Sequence, residues 1–128
     1  MRLLLDTHAL LWWLADDDRL SQRVREAIAD PERTVYSSPA SAWEIATKHR
    51  IGRLPEAHEL LADFSGMLLR AGIEELPITM KHAVLAGTLG GSHRDPFDRM
   101  LAAQALCESL EVVTKDDAIA VLGARCLW

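Results

Sequence analysis

Cysteine is scarce in this sequence of 128 residues, where Cys107 and Cys126 are the only two. Two thiols cannot build a disulfide scaffold, and they lack the C-x-x-C spacing of a zinc site. Reduced thiols of a cytoplasmic protein are expected. Long apolar runs are missing too. Leu3-Leu4-Leu5 stops at Asp6, far short of the roughly 7–15 residues of a signal-peptide core. No stretch approaches the roughly 18 residues needed to span a bilayer, so no membrane role is expected. No repeat, low-complexity tract or Pro/Gly-rich linker divides the chain. Gly90-Gly91 lacks the lysine and spacing of a phosphate-binding loop. Positive charge is in deficit, with 14 basic against 19 acidic side chains and a net charge of −5. That balance excludes a domain that grips nucleic acid by bulk positive charge. It leaves room for an enzyme with a local site.

What is present is globular composition, 49% hydrophobic and 26% charged, in a length that suits one domain over residues 1–128 with its own core. The pattern alternates. Arg2 to Leu5 reads as a buried strand, Thr7 to Leu14 as a helix and Ser21 to Asp30 as a second helix. Thr34 to Ser37 reads as a strand, followed by a helix capped by Ser38 with Pro39 in its first turn and running to about Arg50. Glu56 to Ala71 is the longest helical pattern, closed by Gly72 as a left-handed cap. A strand within Ile73 to Ile78, a helix from Thr79 to about Leu89 and a turn at Gly90-Gly91-Ser92 follow. A helix over Pro96 to Ser109, a strand over Glu111 to Thr114, a short helix over Asp116 to Leu122 and a last strand over Arg125 to Trp128 complete the chain. Strand–helix alternation of this kind predicts a three-layer α/β fold with a central, mainly parallel sheet and helices on both faces.

Open parallel sheets place their sites beyond the carboxyl ends of the strands. Asp6 directly follows the first strand, Asp116 follows the fourth by one residue, and Glu44 and Asp98 lie near helix starts. Asp98 shares the apolar side of its helix with Leu101, Ala102 and Ala105, where an unpaired carboxylate is costly. Local roles compete with a functional one. Asp95 before Pro96 fits a helix N-cap, Ser41 and Glu44 fit a capping box, Glu44 can pair with Lys48, and Asp116 or Asp117 can cap a short helix. Capping is not expected of Asp6. Four acids where strand ends meet helix starts point to a site, and clustered carboxylates without Cys or paired His select hard cations, Mg2+ or Mn2+.

Leu4-Leu5-Asp6-Thr7-His8-Ala9-Leu10-Leu11-Trp12, Ser38-Pro39-Ala40-Ser41-Ala42-Trp43-Glu44-Ile45, His93-Arg94-Asp95-Pro96-Phe97-Asp98-Arg99-Met100-Leu101-Ala102-Ala103-Gln104-Ala105 and Val113-Thr114-Lys115-Asp116 together resemble the PIN-domain family. The nearest likeness is to its VapC-like toxins of type II toxin–antitoxin systems, and it spans essentially the whole chain. The resemblance implies a Mg2+- or Mn2+-dependent endoribonuclease, restrained by a cognate antitoxin and dimeric. It places the family's acids on Asp6, Glu44, Asp98 and Asp116. Asp6, Asp98 and Asp116 are then metal ligands, Glu44 acts directly or through water, and Asp95 is an accessory acid. Thr114 is expected either to orient one of the acids or to satisfy local backbone. The implied chemistry is attack of an activated water on an RNA phosphodiester, leaving a 5′-phosphate downstream without a 2′-hydroxyl nucleophile.

Lys48, Arg50 and Arg53, and Arg94 and Arg99 beside the Asp95–Asp98 segment, are candidates for the RNA backbone; solvated helix ends or local ion pairs are the competing roles. His8 and His93 are expected to bond locally rather than to act as ligand or base. Trp12 and Trp13 point about 100° apart on a helix, which suits either a broad buried face or a docking surface for the antitoxin. Two rival functions stand beside the nuclease. An Asp6-based phosphatase or phosphotransferase would want a second Asp where His8 stands. An acidic-patch binding module without catalysis would weaken gradually as single carboxylates are lost.

Overall fold

The computed structural model describes residues 2–128. Five strands and eight α-helices alternate in it: β1 (Leu3–Leu5), α1 (Thr7–Leu14), α2 (Gln22–Ala29), β2 (Val35–Ser37), α3 (Pro39–Arg50), α4 (His58–Ala62) after a 3₁₀ turn at Pro55–Ala57, α5 (Phe64–Arg70), β3 (Glu74–Glu75), α6 (Met80–Thr88), α7 (Pro96–Glu108), β4 (Glu111–Val113), α8 (Asp117–Val121) and β5 (Cys126–Leu127). Side chains set several of the helix starts. Ser21, Ser38 and Asp95 accept from backbone N–H groups of the first turns of α2, α3 and α7, which supplies donors that a helix end leaves unpaired.

The strands form one sheet in the order β3-β2-β1-β4-β5, and all four pairings are parallel. β1 is central. Its three leucines are fully buried and alternate between two packing layers. Leu3 and Leu5 join Leu10, Val24, Ile45 and Leu68 on one side. Leu4 joins Leu101, Ala102, Val112 and Ile119 on the other. Both faces are therefore covered, as parallel sheets require, and the three-layer arrangement follows. At the edge, β3 is two exposed glutamates, a short charged strand that discourages pairing with another sheet.

The long helix expected over Glu56 to Ala71 is divided. Asp63 leaves the helical region at φ −153° and its carboxylate accepts from Gly66 N at 3.1 Å, starting α5 afresh. The apolar spacing runs through the break, but a short acidic side chain competes with the helix for backbone donors. Gly72 does adopt the left-handed conformation, at φ +71°. No helix among the described residues is long and apolar enough to cross a membrane.

A clasp fixes α6 to α7. His82, 1% exposed, accepts from Thr79 N at Nδ1 (3.0 Å), and its Nε2 lies 2.8 Å from Glu108 Oε2. With Nδ1 accepting, the ring hydrogen sits on Nε2 and is donated to the carboxylate. Leu4→Ala should cost about 2–5 kcal/mol of unfolding free energy in urea titrations, the range for a buried leucine. Leu69→Ala, on a side chain 80% exposed, should stay within about 0.5 kcal/mol.

Candidate active site

Strand order reverses about β1: the chain adds β2 and β3 on one side, then crosses to add β4 and β5 on the other. The crevice at such a reversal is where open α/β sheets bind ligands. Asp6 emerges there from β1, buried to 8% exposure. It caps α1 after all, accepting from Ala9 N at 2.7 Å. The turn from strand to helix is immediate, so the first residue past β1 is also the N-cap of α1. The Thr114 hydroxyl, just past β4, helps to hold the Asp6 carboxyl down, while it lies 3.5 Å from Asp116 O and accepts from Asp116 N at 3.1 Å.

Glu44, 9% exposed, enters from α3. Thr7 Oγ1 donates to Glu44 Oε1 at 2.6 Å and lies 3.1 Å from the buried Ser41 Oγ. Lys48 Nζ donates to Glu44 Oε2 at 2.6 Å. Asp98 enters from the first turn of α7, with its Oδ2 2.9 Å from His93 Nε2. Asp95 spends Oδ1 on the N–H groups of Phe97 and Asp98.

The electrostatics show which acids share the site. Burial raises the Asp98 carboxyl above its ordinary value of 3.8, and the charges of Asp95 and Glu44 push the same way against the His93 bond. Burial likewise raises Asp6, with Glu44 adding to it, while Thr114, Ala9 and His8 oppose. Glu44 therefore acts on both Asp6 and Asp98 across the crevice. Asp116 is attached through Thr114 only. Its carboxylate accepts from Ala118 N at 3.0 Å on the exposed start of α8.

Among the described residues, no three acidic, imidazole or thiol groups close on one point as ready metal ligands. The chemistry of the donor set nevertheless fits a hard divalent cation. The neighbouring groups are carboxylates, and Asp6 and Asp98 are held above their ordinary proton affinity by burial and by the charge of Glu44. A dication relieves both causes. Lys48 and His93 hold one oxygen each of Glu44 and Asp98 in its place.

The other candidates are dispersed. Arg94, Arg50 and Arg53 are exposed. Arg99 is committed inward, with Nε donating to Ala86 O (2.8 Å), one terminal nitrogen to His93 O (2.9 Å) and the other to Leu89 O. Trp12 and Trp13 are half-buried against the core. Trp12 packs edge-on to Trp128 at 5.8 Å, with the Arg19 guanidinium 4.8 Å above its ring. Sequence reasoning missed the support from Thr7 and read Ser41 only as a cap partner of Glu44; His93 bonds locally, to Asp98. Ser41 and Glu44 share a helix face at i,i+3, and that spacing was the available signal for a shared network.

An open parallel α/β protein with buried acids at its switch point is the class that these coordinates define. The chain belongs to the PIN domain family, whose model matches residues 3–124. It is 31% identical over 114 residues to Ribonuclease VapC22 of Mycobacterium tuberculosis (strain ATCC 25618 / H37Rv), an alignment covering 88% of this chain and 85% of that protein. Its fold is that of a chain in VapBC2 from Rickettsia felis, bound to a DNA fragment from their promoter, with a TM-score of 0.71 at 14% identity and coverage of 99% and 98%. DNA-bound VapBC from Salmonella typhimurium matches similarly, with a TM-score of 0.69 at 18% identity and coverage of 99% and 97%.

Because the folded state raises the Asp98 carboxyl, the ionised acid opposes folding once the pH passes its unfolded value, and the full penalty holds above the raised folded value. Without metal at pH 7, Asp98→Asn should therefore melt no lower than the parent chain, the two converging as the pH falls below 3.8. Mn2+ should raise the melting temperature of the parent by mass action and that of the variant much less. Calorimetry with and without Mn2+ checks both statements.

Proposed function

We propose that this chain is a divalent-metal-dependent endoribonuclease, the toxin member of a type II toxin–antitoxin pair. The observation that carries this reading is that Glu44 acts on both Asp6 and Asp98 at the switch point of a PIN-family sheet. The relative named Ribonuclease VapC22 and the VapBC complexes of the same fold support it.

Asp6 and Asp98 would hold Mg2+ or Mn2+, with Glu44 bound directly or through water and Asp116 joining from the end of β4. Bound there, the ion would lower the pKa of water and neutralise charge on the phosphate. The residues of this chain set the stage for that chemistry. Thr114 fixes the orientation of the Asp6 carboxylate, and Thr7 does the same for Glu44, as outer partners of ligating acids do. Lys48 and His93 stabilise Glu44 and Asp98, and Lys48 would also be available to an RNA phosphate. Exposed Arg94 and Arg50 are the other phosphate contacts in this scheme. Arg99 is assigned to holding its loop instead, because its donors are occupied by carbonyls, and Asp95 acts chiefly as a cap. No ribose hydroxyl is needed as nucleophile, so preference for RNA arises from strand geometry and 2′-hydroxyl contacts.

For the antitoxin, a groove of about 600 Å3 runs between α1 and the α4–α5 segment, floored by Leu11, Trp12, Leu60 and Met67 and edged by Asp17, Arg19 and Glu59. An apolar floor with a charged rim suits a partner helix or strand, and Trp12 is its aromatic anchor. Trp13 lies outside the groove's lining and serves the fold in this scheme. A homodimer completes the proposal, with exposed Met80 and Val84 on one face of α6 as apolar surface for a second copy. An intracellular RNA substrate places the activity in the cytoplasm.

Purified protein should cut RNA with Mg2+ or Mn2+, stop in EDTA and leave 5′-phosphates. Asp6→Asn and Asp98→Asn should lose at least about 100-fold in rate, and Thr114→Val about 10–100-fold. Full cleavage in EDTA, or undiminished rates in both Asn variants, would remove the metal-nuclease reading.

A further inference from the structure

Trp43 is 63% exposed, and neither it nor Phe97 is among the side chains packed on the two halves of the core. The two rings meet edge-on, with centroids 5.0 Å apart and planes at 81°. They line an apolar cavity of about 250 Å3 with Ala40, Ile78 and Met100, and Arg94 stands at its rim. Position makes this pair informative. Trp43 immediately precedes Glu44 and Phe97 immediately precedes Asp98, so the two helices that present two of the acids also present the two rings.

We propose that Trp43 and Phe97 form a stacking platform for one unpaired nucleobase beside the scissile phosphate, with Arg94 on the adjoining backbone phosphate. The proposal rests on the ribonuclease reading and specifies its substrate as locally single-stranded RNA. Three observations favour a base as the occupant. The cavity is smaller than the roughly 300–1,000 Å3 of a drug-sized ligand pocket, which matches one planar group. It opens at the same α3–α7 junction across which Glu44 acts on Asp98, although no acid lines it. A guanidinium at the rim complements the phosphate that every base brings with it. Splayed bases of single strands are recognised by stacking of this kind, which tolerates any base because each has a π face. The platform therefore selects strand state more than sequence.

The test uses the full chain with Mn2+ and a short RNA oligonucleotide spanning a mapped cut site, made intact or with an abasic ribose at each position flanking the cut. Trp43→Ala should raise KM about 10-fold, as expected for loss of one stacked base, with kcat within about 3-fold. Trp43→Phe should restore most of the loss. One abasic position should cost the parent a similar factor and cost Trp43→Ala almost nothing further, a coupling that a structural defect would not produce. An unchanged KM in Trp43→Ala, or additive losses, overturns the platform while leaving cleavage by the parent intact. A change in solution mass on Trp43→Ala that accounts for the lost activity assigns this face to a second protein chain and also overturns it. If the parent cuts no RNA with metal, the ribonuclease reading fails first and the platform fails with it.

Discussion

The charge of Glu44 bears on two other carboxylates at the head of the sheet, Asp6 and Asp98, and much of the local architecture can be understood as the means of tolerating that. Burial alone raises the proton affinity of Asp6 and Asp98, and Glu44 adds to both. The fold answers with donors. Asp6 is met by the amide of Ala9 and the hydroxyl of Thr114, Glu44 by Thr7 and Lys48, and Asp98 by His93. Thr7 and Ala9 sit in the first turn of α1, Thr114 just past β4, Lys48 near the end of α3 and His93 in the loop before α7. Stability is given up locally where these acids are buried, a common relation between strain and function.

The same constraint explains why the site sits at the edge of the core rather than within it. The leucines of β1 are sealed on both faces, yet the next residue is an acid. A three-residue strand leaves no room for a gradual exit, and Asp6 must serve as strand terminus, helix cap and charged group at once.

Much of this was legible in the sequence because the signals are local. Alternation of strands and helices gave the three layers, and Ser21, Ser38 and Thr79 marked helix starts through their own side-chain chemistry. Asp6, Glu44 and Asp98 stood out as acids at strand ends and helix starts. What escaped were relations between distant segments. Apolar spacing carried the helix over Glu56 to Ala71 straight across Asp63, because periodicity does not register a carboxylate that caps the next turn. The role of Thr7 toward Glu44 depends on the packing of α1 against α3, which no spacing along the chain reveals. Arg99 looked like a phosphate ligand by its neighbours, but a guanidinium follows whichever acceptors the fold presents, and here those are carbonyls thirteen, ten and six residues upstream.

Those three carbonyls carry a consequence for the segment between α6 and α7. A loop containing Gly90 and Gly91 has much conformational entropy to lose on meeting a ligand. A planar, five-donor group that grips its start and its end removes most of that freedom before any ligand arrives, which a lysine with its single compact charge could not do. His93, whose ring meets Asp98, is thus held through its carbonyl before any ligand arrives, which lowers the entropy that binding would otherwise cost.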